Sequence, residues 1–296
     1  MILPTFIIQS KQNKSYDYSG LDSKEHCRDP VHFENYPYNI TYHYNSRGYR
    51  DIEWPSSLSE LHNSIWCIGD SFTVGLGAPF EHTWPYQLSA ITGVRCINVS
   101  MDGASNDWIA RKSLNVLDDI KPETMIIQWS YIHRREAARC GVTDEDRRIH
   151  ATHSTLDEDY DNFLKNYNLV MSSSGSTKII NTFVPDWHPT SKIYDTSLQE
   201  YWDLFKGSGW GEPPRSKMEL NLLPKSVMEE LHDCGIYQTI ESYCNSSTVK
   251  FYKFLDSEIE RNNILTYSVL DVARDGHHYD VKTANSLANI IFNKLT

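Results

Sequence analysis

The chain has 296 residues, 40% hydrophobic and 23% charged, enough apolar material for one large α/β domain with insertions. Its 28 basic residues against 39 acidic ones give a formal net charge of −11 and leave no basic stripe, which argues against nucleic acid as a partner. The apolar runs fall short of the roughly 20 residues of a spanning helix, and Met1-Ile2-Leu3-Pro4-Thr5-Phe6-Ile7-Ile8 has no basic n-region or long apolar core, so neither a membrane span nor a signal peptide is read and cytosolic synthesis is expected.

Residues 1–60 are polar and too short for a separate domain, and are expected to wrap the main one. Ile65-Trp66-Cys67-Ile68 then runs apolar without alternation, the pattern of a parallel strand covered on both faces. It breaks into Gly69-Asp70-Ser71, where the glycine permits a sharp turn and the serine stands at the carboxyl end of the strand, the edge at which open α/β sheets hold ligands. A plainer reading of the same tripeptide is a strand-to-helix turn capped by Asp70 or Ser71. A helix is predicted over 83–92, with Thr83 as its cap and Pro85 in its first turn. Arg95 to Val99 reads as the second strand and Asp107 to Ile120 as a helix stopped by Pro122. Thr124 to Trp129, Lys178 to Val184 and Asn263 to Val272 read as strands three, four and five. Ala284, Leu287, Ala288, Ile291 and Leu295 recur at helical spacing, a core stripe. This alternation predicts a single α/β domain over residues 1–296: a three-layer α/β/α sandwich around a mostly parallel, five-stranded sheet.

Between these elements, residues 140–175 are polar; the run Asp157-Glu158-Asp159 reads as a solvated helix face or turn and Ser172-Ser173-Ser174-Gly175 as a loop. Residues 185–245 read as an insertion between strands four and five. Its Trp187, Trp202 and Trp210, the last within Gly207-Ser208-Gly209-Trp210-Gly211-Glu212-Pro213-Pro214, form either a satellite core or a surface that stacks on sugar rings. The six cysteines, at 27, 67, 96, 140, 234 and 244, are scattered and fit a reducing compartment, with Cys67 and Cys96 in buried strands. The pairs His150/His153 and His277/His278 lack the helical His-Glu-x-x-His pattern, and no metal is expected.

A serine is a weak nucleophile without a base and a group to orient that base. Asp275-Gly276-His277-His278 supplies both near the far end, since a carboxylate three residues before a histidine can reach Nδ1 in a tight turn and leave Nε2 free for the serine proton. Ser71, Asp275 and His278 are the candidate triad, with the share of His277 left open.

Together these segments resemble the GDSL or SGNH serine hydrolases. The resemblance runs through Tyr44-Asn45-Ser46-Arg47-Gly48-Tyr49-Arg50, Gly69-Asp70-Ser71-Phe72-Thr73-Val74-Gly75-Leu76-Gly77, Thr83-Trp84-Pro85 with Leu88, Ile97-Asn98-Val99-Ser100 with Gly103, and Asp275-x-x-His278. It covers residues 44–130 and 264–295. The resemblance implies a flavodoxin-like fold, esterase activity without a cofactor, and an oxyanion hole in which the Gly103 amide takes part. It also implies a Gly-x-Asn-Asp block after the third strand, whose asparagine donates to the oxyanion. Here the chain has Gln128-Trp129-Ser130-Tyr131-Ile132-His133-Arg134 instead. Losing one oxyanion donor costs about 100 to 1,000-fold in turnover. Asn106 is the nearest substitute, although Ser105 or Asn106 serves equally as a helix cap. The expected activity is hydrolysis of small acyl esters, acetyl above all, on a carbohydrate or similar polar acceptor. The alternative is a hydrolase-fold protein that binds glycans with little or no turnover.

Overall fold

The computed structural model describes residues 6–136, 156–185, 225–233, 247–261 and 263–296. Near the amino end, Ser15–Tyr16 (β1) and Tyr42–His43 (β2) pair antiparallel. Pro30–Asn35 (α1) lies between them in sequence, capped by Asp29, whose carboxylate accepts from the N–H groups of Val31 and His32. Phe6 and Ile8 are buried in the larger apolar cluster with Trp54, Leu58 and Trp66. Two polar ties, the first buried and the second half-buried, then join this segment to the far end of the chain. Arg274 donates from Nε and Nη2 to the Asp22 carboxylate at 2.8 and 2.7 Å, and the Tyr36 hydroxyl donates to Asp280 at 2.6 Å.

The next elements follow as Ile65–Gly69 (β3), Ser71–Val74 (α2), Trp84–Thr92 (α3), Cys96–Ser100 (β4), Asn106–Asp119 (α4), Thr124–Trp129 (β5), Leu156–Ser172 (α5) and Lys178–Phe183 (β6). Lys225–Asp233 (α6), Ser247–Glu260 (α7), Ile264–Leu265 (β7) and Val281–Leu295 (α8) complete the series. Strands β3 to β7 form one sheet in the order β4-β3-β5-β6-β7, every pair parallel. Alternate residues along each strand serve opposite faces. Trp66 and Ile68 point with Ile97, Val99, Met125 and Ile127 to one cluster, which α4, α5 and α7 cover through residues such as Trp108, Phe163 and Leu255. Ile65 and Cys67 point with Ile126 and Ile180 to the other, covered by Trp84 and Leu88 of α3 and by Ala284, Leu287, Ala288 and Ile291 of α8. The result is the three-layer α/β/α sandwich, and the helical stripe at 284–291 is core. Because β3 is flanked by β4 on one side and β5 on the other, its carboxyl end lies at the switch point of the sheet, where the loops diverge and leave a crevice.

Four details depart from expectation. The apolar run after Asn263 pairs over Ile264–Leu265 only, and Val269, Leu270 and Val272 are exposed. The chain leaves the sheet edge to cap α8: the N–H of Leu270 donates to Thr283 Oγ1, and the Asp271 carboxylate accepts from the N–H groups of Asp280, Lys282 and Thr283. Thr83 occupies the cap position of α3 but donates its hydroxyl to the Phe80 carbonyl. In the run 157–159, Glu158 is exposed while Asp159 is fully buried beside Arg135 Nε at 3.4 Å. Successive helical residues stand about 100° apart, so such a run cannot share one solvated face. Gly69 has no left-handed φ; it is needed for space, since a Cβ there would lie 2.1 Å from Thr73 Oγ1 and 3.2 Å from the Gln128 carbonyl oxygen.

Cys67 and Cys96 are buried free thiols. The tryptophans at 187, 202 and 210, the 207–214 segment, the pair His150/His153 and Cys140, Cys234 and Cys244 lie outside the described residues. Among the described residues no helix is long and apolar enough to cross a membrane.

Candidate active site

Strand β3 ends in the crevice, and Asp70 starts the next helix by accepting the N–H of Phe72 at 3.0 Å. Ser71, first residue of α2, is nearly enclosed at 3% exposure. Its Oγ lies 2.8 Å from His278 Nε2, and His278 Nδ1 lies 2.5 Å from Asp275 Oδ2. The other carboxylate oxygen, Oδ1, accepts the backbone N–H groups of His277 and His278 at 2.9 and 3.0 Å, which makes the turn a rigid holder for its own aspartate. Burial alone would raise the Asp275 pKa, but the hydrogen bond and charge of His278 and those two N–H groups outweigh it and hold the carboxyl below its usual range. An ionised carboxylate only accepts, so Nδ1 carries the ring proton and Nε2 presents its lone pair to the serine hydroxyl.

His277 does not reach the serine in this arrangement. Its Nε2 meets the Tyr131 hydroxyl at 3.2 Å, and the two rings lie nearly parallel at 16°. Burial first, then the neighbouring His278 and Arg28, push its pKa down to about 3, so the ring is neutral near pH 7. It forms a wall of the site with Tyr131, while Phe72 packs under His278 with ring centroids 4.5 Å apart.

The 273–278 turn is fixed from three sides. Gly77 (φ +72°) comes so close that a Cβ would sit 2.9 Å from Ala273 Cβ and 3.0 Å from Asp275 Cγ. The Arg274 N–H donates to the Gly77 carbonyl at 2.8 Å. The Tyr42 hydroxyl accepts the Gly77 N–H at 2.8 Å and donates to the Asp22 carboxylate that holds Arg274. The Asn45–Arg50 motif has an equally local purpose. The Asn45 side chain accepts the N–H groups of Arg47 and Tyr49, and the buried Arg50 guanidinium donates to the carbonyls of Val74, Gly75 and Ala78. Arg50 thereby satisfies the orphan carbonyls where α2 ends.

At the β4–α4 loop, Ser105 is the cap, its Oγ accepting the Trp108 N–H at 3.1 Å. Asn106 is fully buried and its amide is spoken for: Oδ1 accepts the Ser130 N–H at 3.0 Å, and Nδ2 donates to the Tyr131 carbonyl at 3.1 Å. It pins the turn after β5 and has little left to offer an oxyanion. Gly103 (φ +72°) lies just before it. Among the described residues, neither the Gly103 N–H nor the Ser71 N–H has a hydrogen-bond partner.

Three residues that sequence reading did not place hold the floor. Gln128 accepts from Thr73 Oγ1 at 2.8 Å and donates to the hydroxyls of Tyr267 and Tyr279 at 3.0 and 3.1 Å. Ser130 Oγ donates to Asp70 Oδ2 at 2.5 Å, and Arg134 Nη1 lies 3.2 Å from the same oxygen. Burial raises the Asp70 pKa, against the pull of Arg134 and Ser130. The available signal was a glutamine closing an apolar strand, with an arginine six residues on, in the segment that lacks the expected asparagine.

No family model and no curated protein matches this sequence. Solved structures do. A protein described as lipolytic and of the G-D-S-L family, from Desulfitobacterium hafniense, aligns at 13% identity over 78% of this chain and 98% of its own, with a TM-score of 0.40. The resemblance is to GDSL-type hydrolases. A carbohydrate esterase family 2 enzyme from Corynascus thermopiles aligns at 11% identity over 83% of this chain and 68% of its own (TM-score 0.41). A family 3 carbohydrate esterase from Clostridium thermocellum aligns at 11% over 78% and 94% (TM-score 0.37).

Proposed function

We propose that this chain is a serine esterase of the GDSL type, acting without a cofactor on small acyl esters, acetyl first, carried by a carbohydrate or another polar acceptor. The observation that carries the reading is the contact of 2.8 Å between Ser71 Oγ and His278 Nε2, backed by Asp275 on the far side of the ring. As Ser71 Oγ forms its bond to the acyl carbon, His278 takes the hydroxyl proton at Nε2 and the carbonyl π electrons move to oxygen. The N–H groups of Ser71 and Gly103, without a partner among the described residues, are the donors for that oxyanion. Collapse breaks the bond to the alkoxide, which leaves with the proton from Nε2. Water, deprotonated by His278, then releases the carboxylic acid and restores Ser71. The polar acceptor is supported by the Trp187, Trp202 and Trp210 insertion and by the lack of an apolar lipid-binding segment in the sequence.

One observation favours the second reading, a glycan-binding protein with weak turnover: no asparagine stands in the turn after β5, and the Asn106 amide is bound to backbone. Hydrolysis of a chromogenic acetate ester by the wild type and by Ser71→Ala separates the two. Activity falling to the uncatalysed rate in the variant, with stoichiometric labelling of wild type alone by an organophosphate, supports the esterase. Equal rates in both proteins leave only the binding role.

A further inference from the structure

The turn after β5 brings a guanidinium to the site that the triad chemistry does not use. The Arg134 carbonyl accepts the Asn106 N–H at 3.0 Å, which fixes the arginine beside the Gly103 loop. Its Nη1 lies 3.2 Å from Asp70 Oδ2 and 3.4 Å from Ser130 Oγ, and its guanidinium carbon lies 4.9 Å over the Tyr131 ring, whose hydroxyl meets His277. One edge of the fork is therefore occupied. Nε and Nη2 bond to no described residue and are not sealed from solvent, the side chain being 21% exposed. A guanidinium has five donors in a fixed plane, and the free edge of this one is matched to a carboxylate.

A second cation stands on the other side of the histidine loop. The Arg28 N–H donates to the Asp275 carbonyl at 2.9 Å, and its Cβ lies 3.4 Å from where a side chain on Gly276 would begin. Its exposed guanidinium has no partner among the described residues. Both arginines also help to keep His277 neutral. Of the nearby carboxylates, Asp70 and Asp275 are buried and hydrogen-bonded. A half-engaged guanidinium at Asp70 and an exposed one flanking the histidine loop stand out in a chain of net charge −11.

We propose that the site selects esters bearing a carboxylate close to the scissile bond, with Arg134 holding that carboxylate and Arg28 adding long-range attraction. An acylated acidic sugar has this chemistry. The inference rests on the esterase reading for the reaction, but the anion subsite can be measured without turnover.

Two matched probe pairs test it: 4-acetoxybenzoate against 4-acetoxybenzamide for hydrolysis, and the non-hydrolysable 4-acetamidobenzoate against 4-acetamidobenzamide for calorimetric binding to the full chain. The carboxylate form is expected to be favoured about tenfold in kcat/KM and in Kd at low salt. That ratio is expected to fall toward one in Arg134→Gln and to shrink in Arg28→Gln and at high salt. Arg28→Gln alters only an exposed side chain, so it keeps the test alive if Arg134→Gln fails to fold. Ser71-dependent turnover with a ratio of one, or a ratio unmoved in every folded variant, overturns the subsite. Failure of the carboxylate probe to bind at millimolar concentration does the same. Selective binding without turnover instead supports the subsite and overturns the esterase.

Discussion

Replacing Asp275 by asparagine isolates what its charge does. In the wild type Oδ1 accepts two backbone N–H groups, at 2.9 and 3.0 Å, and Oδ2 accepts His278 Nδ1 at 2.5 Å. Asparagine keeps one good acceptor. If its carbonyl oxygen stays on the two N–H groups, its NH2 faces Nδ1, which must then accept; the ring proton moves to Nε2 and the serine loses its base. The opposite amide orientation sets NH2 against two buried donors, each costing about 1–3 kcal/mol when unpaired, so the first is adopted. The wrong tautomer costs on the order of 10⁴ in kcat, about 5 kcal/mol in the barrier. Both N–H groups remain satisfied, so thermal stability changes little. Initial rates on a chromogenic acetate ester, with thermal melts of both proteins, provide the measurement. A variant within tenfold of wild type at an unchanged melting temperature would refute Asp275 as the group that sets the histidine tautomer.

Gly69→Ala puts a Cβ 2.1 Å from Thr73 Oγ1, which must abandon its hydrogen bond to Gln128; overpacking and the lost bond together predict a destabilisation of about 2–4 kcal/mol by chemical denaturation, and a loss below about 1 kcal/mol contradicts it. Asp22→Asn leaves the buried Arg274 and the Tyr42 hydroxyl without their carboxylate, and is expected to cost about 3–5 kcal/mol and to lower kcat through the adjoining Asp275; a melting temperature equal to wild type would rule this out. His277 is held at a pKa of about 3 against an ordinary 6.5. Its neutral ring therefore contributes stability that is complete above pH 6.5 and is lost as pH falls toward 3, on the order of 2 kcal/mol after solvent screening. In His277→Gln the difference between unfolding free energies at neutral and acid pH, taken from urea titrations, should be smaller by that amount, and parallel pH dependence in the two proteins speaks against it.

Strand positions were legible because each carries a short apolar run, unbroken in Ile65–Ile68 and with a polar residue or two in the others, so β3, β4, β5 and β6 fall within a residue of expectation, and the apolar stripe at 284–295 lies within α8. The strand expected over 263–272 was misjudged because Val269, Leu270 and Val272 look like core in sequence, whereas the chain there is committed to capping α8 through Asp271 and Thr283. The meeting of Ser71 with His278 could be argued from the chemistry each needs. What holds them could not. Arg50 on the carbonyls after α2, Gln128 beneath Thr73 and Ser130 on Asp70 are polar contacts between residues 24 to 60 positions apart, and hydrophobic periodicity carries no trace of them. Asn106 shows the limit most sharply: its neighbours in sequence allowed a cap or an oxyanion donor, and only the position of the Ser130–Tyr131 backbone shows that its amide is occupied.

The tie between Asp22 and Arg274 sets a timetable for biosynthesis. A ribosome extends the chain from the amino end, so Asp22 emerges with its partner still 252 residues from being made. During that interval the carboxylate stays hydrated and Tyr42 lacks its lock, while the loop bearing the histidine does not yet exist. Ser71 therefore has no histidine beside it until residues 274–278 have been made and can close on Asp22.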